Sequence, residues 1–179
     1  MTAEDVLNFW FKELQPQQWW VKDQQLDETI KSRFSVLHQQ ACAGELYTWR
    51  ESAKASLAEI IILDQFSRNI YRDTPASFTS DPLALSLAQT AIAKGFDKTL
   101  PLTERGFMYL PFMHSESQHI HEVAVELFTS LGKPEQLDFE YQHKRIIDRF
   151  GRYPHRNSIL GRASSAQELD FLTQENSSF

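Results

Sequence analysis

The stretch SLAEIIILDQFSRNIY, residues 56–71, decides the fold class of this chain. Its apolar residues Leu57, Ile60 and Ile61 recur three and four positions apart, which is the period of a helix that buries one face. Ser52 can cap such a helix at its N-terminus. We therefore expect one helix from Ser52 to the end of this stretch.

The same period and similar boundary residues recur along the rest of the chain, and no alternating apolar–polar segment beside a hairpin turn is present. Seven or eight helices with short connections favour antiparallel neighbours, stacked as helical hairpins. The expected class is all-α, with a single domain over residues 1–179 and a frayed tail at 172–179. The predicted helices begin near Thr2, Asp27, Ser52, Asp81, Thr103, Glu116, Glu135 and Ser165, with stops near Pro16, Gly44, Tyr71, Gly95, Pro111, Gly132 and Gly151.

The composition is that of an ordinary globular protein and excludes a membrane-embedded one. The chain has 179 residues, is 41% hydrophobic and carries a formal net charge of −6, and its mean hydropathy is −0.44. Its longest apolar run, residues 107–113, is far shorter than the ~18 residues that a membrane span needs. The acidic N-terminus predicts no export signal, and one cysteine fits a reducing compartment. We expect a cytoplasmic protein that does not bind membranes.

The polar end of the 56–71 stretch admits two interpretations. The apolar face continues into polar residues. Asp64 and Arg68 lie one turn apart, which is the spacing of an intrahelical ion pair, and Gln65 and Asn69 form an amide pair at the same spacing. These four side chains could line a polar pocket at the edge of the core. Alternatively, the Asp64–Arg68 pair clamps the following loop, because structural ion pairs resemble functional ones.

Residues 141–162 are basic in an otherwise acidic chain. Six Lys and Arg side chains against one Asp give this segment a net charge of +5. Arginine matches carboxylates and phosphates with two parallel hydrogen bonds, so an anion site is the functional interpretation. The alternative is that these guanidinium groups bond loop carbonyls and acids of the same chain. Nucleic acid is not an expected partner, because the remaining charge of the chain opposes docking on a phosphate backbone.

Three long strings, IILDQFSRNIY (61–71), FMYLPFMHSE (107–116) and RFGRYPHRN (149–157), occur in this order. With VLNFWF (6–11) and ILGR (159–162), they resemble a bacterial family of uncharacterised proteins, the domain-of-unknown-function family 924. The resemblance extends from Val6 to about Leu172. It implies an all-helical, tetratricopeptide-like superhelix of stacked hairpins, and it supplies no catalytic residues.

The family strings run through most of the candidate polar residues, and we expect those residues to meet in space. The leading hypothesis is a binding module whose Arg- and His-rich pocket holds a small anionic molecule, or an acidic or C-terminal peptide. The sequence leaves the ligand and the oligomeric state open, and it predicts no cofactor. The candidate binding residues are Asp64, Gln65, Arg68, Asn69, Arg105, His114, Arg149, Arg152, His155, Arg156 and Asn157.

Two further hypotheses belong to other classes. A hydrolase or transferase acting on an anionic substrate could use His114 or His155 as general acid–base, with Glu116 or Asp64 orienting the imidazole. A protein-interaction scaffold would instead use all these polar networks to hold the fold.

The remaining histidines and the cysteine do not predict a metal site or a reactive thiol. His119 and His121 are two residues apart and point to different sides of a helix, so no metal site is expected. Cys42 follows His38 by one turn, the spacing of a thiol–imidazole pair. Its alanine neighbours and its position on an apolar helix favour a buried, inert thiol instead.

Overall fold

The computed structural model describes residues 1–178, and within these residues the regular structure is entirely helical. The predicted all-α class is confirmed. Short 3₁₀ turns occupy several of the connections. The α-helices are α1 Ala3–Asn8, α2 Gln24–Cys42, α3 Ala53–Ile61, α4 Ser67–Ile70, α5 Asp81–Ala93, α6 Leu102–Met113, α7 Gln118–Leu131, α8 Pro134–Phe150 and α9 Ala166–Phe171.

The predicted long helix that begins after Ser52 is present but is not regular throughout. Ser52 accepts a hydrogen bond from the Ala55 amide and caps α3. A π-helical turn, Ile62–Phe66, then joins α3 to α4. The wider turn changes which side chains face the core, and every residue from 56 to 67 is buried. The sequence period alone predicted a single buried face.

Several helix boundaries differ from the prediction by a few residues. Asp23, rather than a residue near Asp27, caps α2, with its carboxylate accepting the amides of the first turn. Ser80 occupies the N-cap position of α5, and Asp81 is the first helical residue. Pro111 lies inside α6, which ends at Met113. Proline has no N–H to donate and its ring crowds the carbonyl four residues earlier, so a helix kinks or ends near it, and α6 ends two residues after Pro111.

The described chain forms two compact units. Unit 1 comprises residues 1–72 and 76–111, and unit 2 comprises residues 73–75 and 112–178 of the described chain. In unit 1, α1 packs on α3, α2 packs on α4 and α3 packs on α5. Its core is aromatic, since Phe34 contacts both Phe9 (4.9 Å between centroids) and Phe66 (4.7 Å). Trp10 lies 5.6 Å from the Phe66 ring.

Unit 2 is built on the helical hairpin of α7 and α8. Gly132 turns the chain between them with φ of 72°, a conformation that glycine adopts without a Cβ penalty. Ile146, Ile147 and Tyr153 form the buried apolar cluster. The predicted capping box of Ser165 and Glu168 starts α9.

The predicted frayed tail is only partly described, because Phe179 lies outside the described residues. Residues 173–178 form turns, and the Ser177 side chain is buried and donates to the Leu172 carbonyl. Among the helices of the described chain, none has the length and apolarity to cross a bilayer.

Candidate functional site

Tyr153 is the centre of a polar cluster in unit 2, which we call the Tyr153 cluster and define as Tyr153, His121, His143, His155 and Arg156. The tyrosine ring is fully buried. Three imidazole rings lie 5.6–6.3 Å from its centroid, and the Arg156 guanidinium lies 4.7 Å above its face. The Tyr153 hydroxyl donates to the Met113 carbonyl at 2.5 Å.

A fully buried acid–imidazole pair lies beside this ring. Glu140 Oε1 is 2.7 Å from His121 Nδ1, and neither side chain is exposed to solvent. His121 Nε2 lies 2.9 Å from the Ser115 carbonyl and 3.2 Å from the Tyr153 hydroxyl. Burial raises the pKa of Glu140 above its ordinary value, although the bond with His121 opposes that effect. Buried titratable groups of this kind are concentrated at functional sites.

The pKa of His143 lies well below that of an ordinary imidazole. Burial lowers its pKa to about 3, because a charged imidazole would lose its hydration there. The neighbouring His114, His121 and His155 add to this effect by electrostatic repulsion. His143 is therefore neutral at neutral pH, with Nδ1 donating to the Phe139 carbonyl at 2.7 Å.

Three residues on the side of the Tyr153 cluster that is nearest to solvent form what we call the His–Arg rim. They are His114, His155 and Arg156. His114 and His155 are partly exposed, whereas Arg156 is buried. The Arg156 Nη2 donates to the His114 carbonyl at 3.1 Å. The structure thus brings together three of the eleven predicted binding residues around a tyrosine that was not among them.

Two other predicted residues of unit 2 belong to a structural network. Arg152 makes a two-point ion pair with Glu168, at 2.7 and 2.8 Å, and also donates to the Ala163 carbonyl. Asn157 is fully buried and donates to Glu168 and to the Ser164 hydroxyl. These contacts tie the 151–157 turn to the start of α9.

Glu116, a candidate orienting acid, is held by Arg162 in a second two-point ion pair, at 2.7 and 2.9 Å. It also accepts the Tyr153 amide at 2.8 Å. These hydrogen bonds lower the pKa of Glu116 despite its burial. The carboxylate therefore fixes the backbone at Tyr153.

In unit 1, the Arg68 side chain at the polar end of the 56–71 stretch bonds several groups of the same unit. Arg68 pairs with Asp81 through two bonds of 2.7 and 2.9 Å and donates to the Ser77 carbonyl. It also donates to the Asp64 main-chain oxygen at 3.0 Å. The Asp64 carboxylate accepts a bond from the Gln65 amide at 2.6 Å.

The two remaining predicted residues of unit 1 also bond carboxylate or hydroxyl groups of unit 1. Asn69 donates to Asp27, which Arg72 also binds with two bonds. Arg105 donates to the Tyr109 hydroxyl, which in turn donates to the buried Asp97.

One expectation about a single side chain is corrected. Cys42 is exposed, not buried, because it is the last residue of α2 and lies beyond the apolar face. Its Sγ lies 3.6 Å from His38 Nδ1 and 3.3 Å from the Ser80 hydroxyl. Arg149, a predicted binding residue, is exposed, and its guanidinium lies over the Phe150 ring at 4.6 Å.

Sequence reasoning missed His143, Glu140 and Tyr153, and it placed His121 only by its helical side. A signal was present, because Glu140, His143 and Ile147 recur three and four positions apart on one face of α8. Polar residues on such a face predict a buried polar cluster. Nothing in the sequence predicted that His121 and His143 both contact Tyr153.

No group of three or more His, Cys, Asp or Glu side chains that could hold a metal ion occurs in the part of the chain that the structure describes. The groups that unit 2 gathers are imidazole, guanidinium, phenol and carboxyl. The fold and these groups together define the class of protein, an all-helical chain with a buried polar cluster centred on a tyrosine.

The chain belongs to the family described as "Bacterial protein of unknown function (DUF924)", whose model matches residues 6–176. This confirms the family resemblance of the sequence. A solved structure of a protein of unknown function from Agrobacterium tumefaciens is similar, with 39% identity and a TM-score of 0.91. The match covers 95% of this chain and 96% of that chain. Among curated proteins, nothing matches.

Proposed function

We propose that this chain is a binding protein for a small anionic molecule, which unit 2 holds at the His–Arg rim. The observation that supports the proposal is that the three rim residues meet beside the buried Tyr153 ring. The His155 ring and the Arg156 guanidinium lie 5.6 and 4.7 Å from its centroid, and Arg156 donates to the His114 carbonyl. Guanidinium and imidazolium groups are common partners of phosphate, sulfate and carboxylate oxygens.

The acids near the rim do not oppose this function. Glu116 is engaged by Arg162, and Glu140 is bonded to His121. An anion at the rim therefore faces carboxylates whose charge is offset by a basic or protonatable partner. The proposal is narrower than the sequence hypothesis, because Arg68 and Arg152 each serve an internal ion pair.

Thermal unfolding with sulfate or succinate, at an ionic strength kept constant with sodium chloride, tests the proposal. A ligand that binds only the folded state stabilises it in proportion to the logarithm of its concentration, by about 2.7 kcal/mol at 100 times Kd. We expect a rise in Tm that chloride alone does not give. A C-terminal peptide that stabilises the chain while both small anions fail would favour the peptide alternative.

Three single variants assign the effect to the rim. His114→Gln and His155→Gln should each weaken the sulfate-dependent rise in Tm. His119→Gln is the matched control, since His119 lies on α7 with its side chain 81% exposed and paired with Glu122. An equal loss in all three variants, or no rise in the unmodified chain, overturns the proposal.

A further inference from the structure

The hydrogen bonds around His121 fix where its protons are. The Ser115 carbonyl can only accept, so His121 Nε2 carries a proton and donates to it at 2.9 Å. The Tyr153 hydroxyl gives its proton to the Met113 carbonyl, so its oxygen also accepts from His121 Nε2. Nδ1 is consequently the position at which the imidazole gains or loses charge.

One proton lies between His121 Nδ1 and Glu140 Oε1 at their 2.7 Å separation. Whichever atom it is assigned to, the pair as a whole is neutral. The second carboxyl oxygen, Glu140 Oε2, is buried and makes no hydrogen bond in the described structure. A second proton on Oε2 would leave a neutral carboxylic acid beside a His121 imidazolium, so the pair would carry one positive charge.

The surroundings of the pair are rich in basic groups. His114 and Lys144 both act electrostatically on Glu140, and Glu140 lies on the same helix as Lys144. His155 acts with His114 and His121 on His143. Arg156 acts on Glu116, the other acid of the neighbourhood, which Arg162 binds. These groups disfavour a further positive charge unless an anion offsets it.

We propose that an anion bound at the His–Arg rim draws one proton onto the buried Glu140–His121 pair, so that binding is coupled to proton uptake. The inference rests on the proposed function and adds that pH regulates anion binding at the same site. The proton comes from solvent and adds to Glu140 Oε2, while the shared proton settles on His121 Nδ1. The new positive charge is on the His121 ring, whose Nε2 contacts the Tyr153 hydroxyl, and it attracts the anion. The raised pKa of Glu140 is consistent with this carboxyl taking a proton.

Coupling of this kind has a definite thermodynamic signature. If binding takes up one proton, the affinity falls up to tenfold for each unit by which pH rises. The same proton appears in calorimetry as a binding heat that depends on the ionisation enthalpy of the buffer. Sulfate is a suitable probe, because it stays a dianion near neutral pH and all protons taken up must then go to the protein.

Titration calorimetry with sulfate, in Pipes and in Tris at about pH 7, measures the number of protons taken up. We expect uptake in the unmodified chain and its loss in Glu140→Gln, whose amide N–H₂ group can donate to the unprotonated Nδ1 of a neutral His121 but which cannot take a proton. Glu122→Gln is the matched control, because Glu122 forms an exposed Glu–His pair on α7. It should retain the full uptake.

The outcomes separate the two proposals. Absence of sulfate binding overturns both the proposed function and the coupling. Binding without proton uptake overturns only the coupling. Uptake that persists in Glu140→Gln shows that the Glu140 carboxyl is not the group that takes the proton, and also overturns it. If Glu140→Gln does not fold, the ¹⁵N shifts of His121 decide. Both ring nitrogens should become protonated when sulfate is added to the unmodified chain, and unchanged shifts would contradict the proposal.

Discussion

Arg152 and Glu168 form a planar two-point ion pair, with Nε–Oε1 at 2.7 Å and Nη2–Oε2 at 2.8 Å. Glu168 is also the capping-box acid of α9, accepting the Ser165 amide at 2.7 Å. One carboxylate thus starts a helix and fixes the turn after α8. Arg152 belongs to the basic segment 141–162, so part of this segment stabilises the fold.

Glu168→Gln is expected to destabilise the chain at neutral pH. The bonds with Arg152 lower the pKa of Glu168 from 4.5 to about 2. The carboxylate therefore stabilises the fold fully above pH 4.5, and the contribution is lost as pH falls through about 2. Tm should fall by roughly 3–6 °C near neutral pH, with a smaller difference in acid. Glu175→Gln, at an exposed position, should change Tm little.

His143→Gln is expected to change the pH dependence of stability. The folded pKa of about 3 lies below the ordinary 6.5, so between these values the unfolded chain binds the extra proton. The free energy of unfolding should rise with pH in this window, by up to about 1.4 kcal/mol per unit. Urea titrations at several pH values should show a flatter profile for the variant. An unchanged slope, or equal flattening in His119→Gln, would contradict the assignment.

Tyr153→Phe removes the hydroxyl that donates to the Met113 carbonyl. A buried carbonyl that loses its donor typically costs about 1–3 kcal/mol, so we expect a loss of that size in chemical denaturation. Tyr141→Phe provides the comparison, because Tyr141 is exposed and 43% accessible. Equal stability of the two variants would show that the Tyr153 hydroxyl contributes nothing.

Gly151→Ala should destabilise the chain by about 1 kcal/mol for a purely conformational reason. Gly151 ends α8 with φ of 66°, and an added Cβ would meet no atom within 4 Å. Gly151→Asn should lose less, because asparagine tolerates this backbone region better. If thermal unfolding showed alanine to be as stable as glycine, the left-handed conformation could not be the reason for glycine there.

The exposed Cys42 thiol should react with Ellman's reagent in the folded chain, releasing one equivalent before any denaturant is added. The reason is accessibility alone, since the residue lies at the end of α2. Labelling that begins only in urea would instead show a buried thiol.

The sequence predicted local features well because they depend on neighbours along the chain. The helix starts at Thr2 and Ser165, the glycine after α8 and the all-helical class all follow from residues within one or two turns. The π-helical turn at Ile62–Phe66 was not predictable in this way. It depends on how the surrounding helices pack against that stretch.

The residues of the basic segment were recognised from the sequence, but their partners were not. Arg162 binds Glu116, which is 46 residues away in the chain, and Arg152 binds Glu168, which is 16 residues away. The period of a helix shows which side chains share a face, but not which acid lies opposite.

The amino-acid sequence by itself determined the helices, their caps and the family to which the chain belongs, because these depend on local spacing and on residue identity. Only the tertiary structure decided that the arginines divide between internal ion pairs and the His–Arg rim, and that Glu140 and His121 form a buried hydrogen-bonded pair next to Tyr153. The physical reason is that burial and ion pairing are set by residues from separate helices, which meet only when the hydrophobic faces pack.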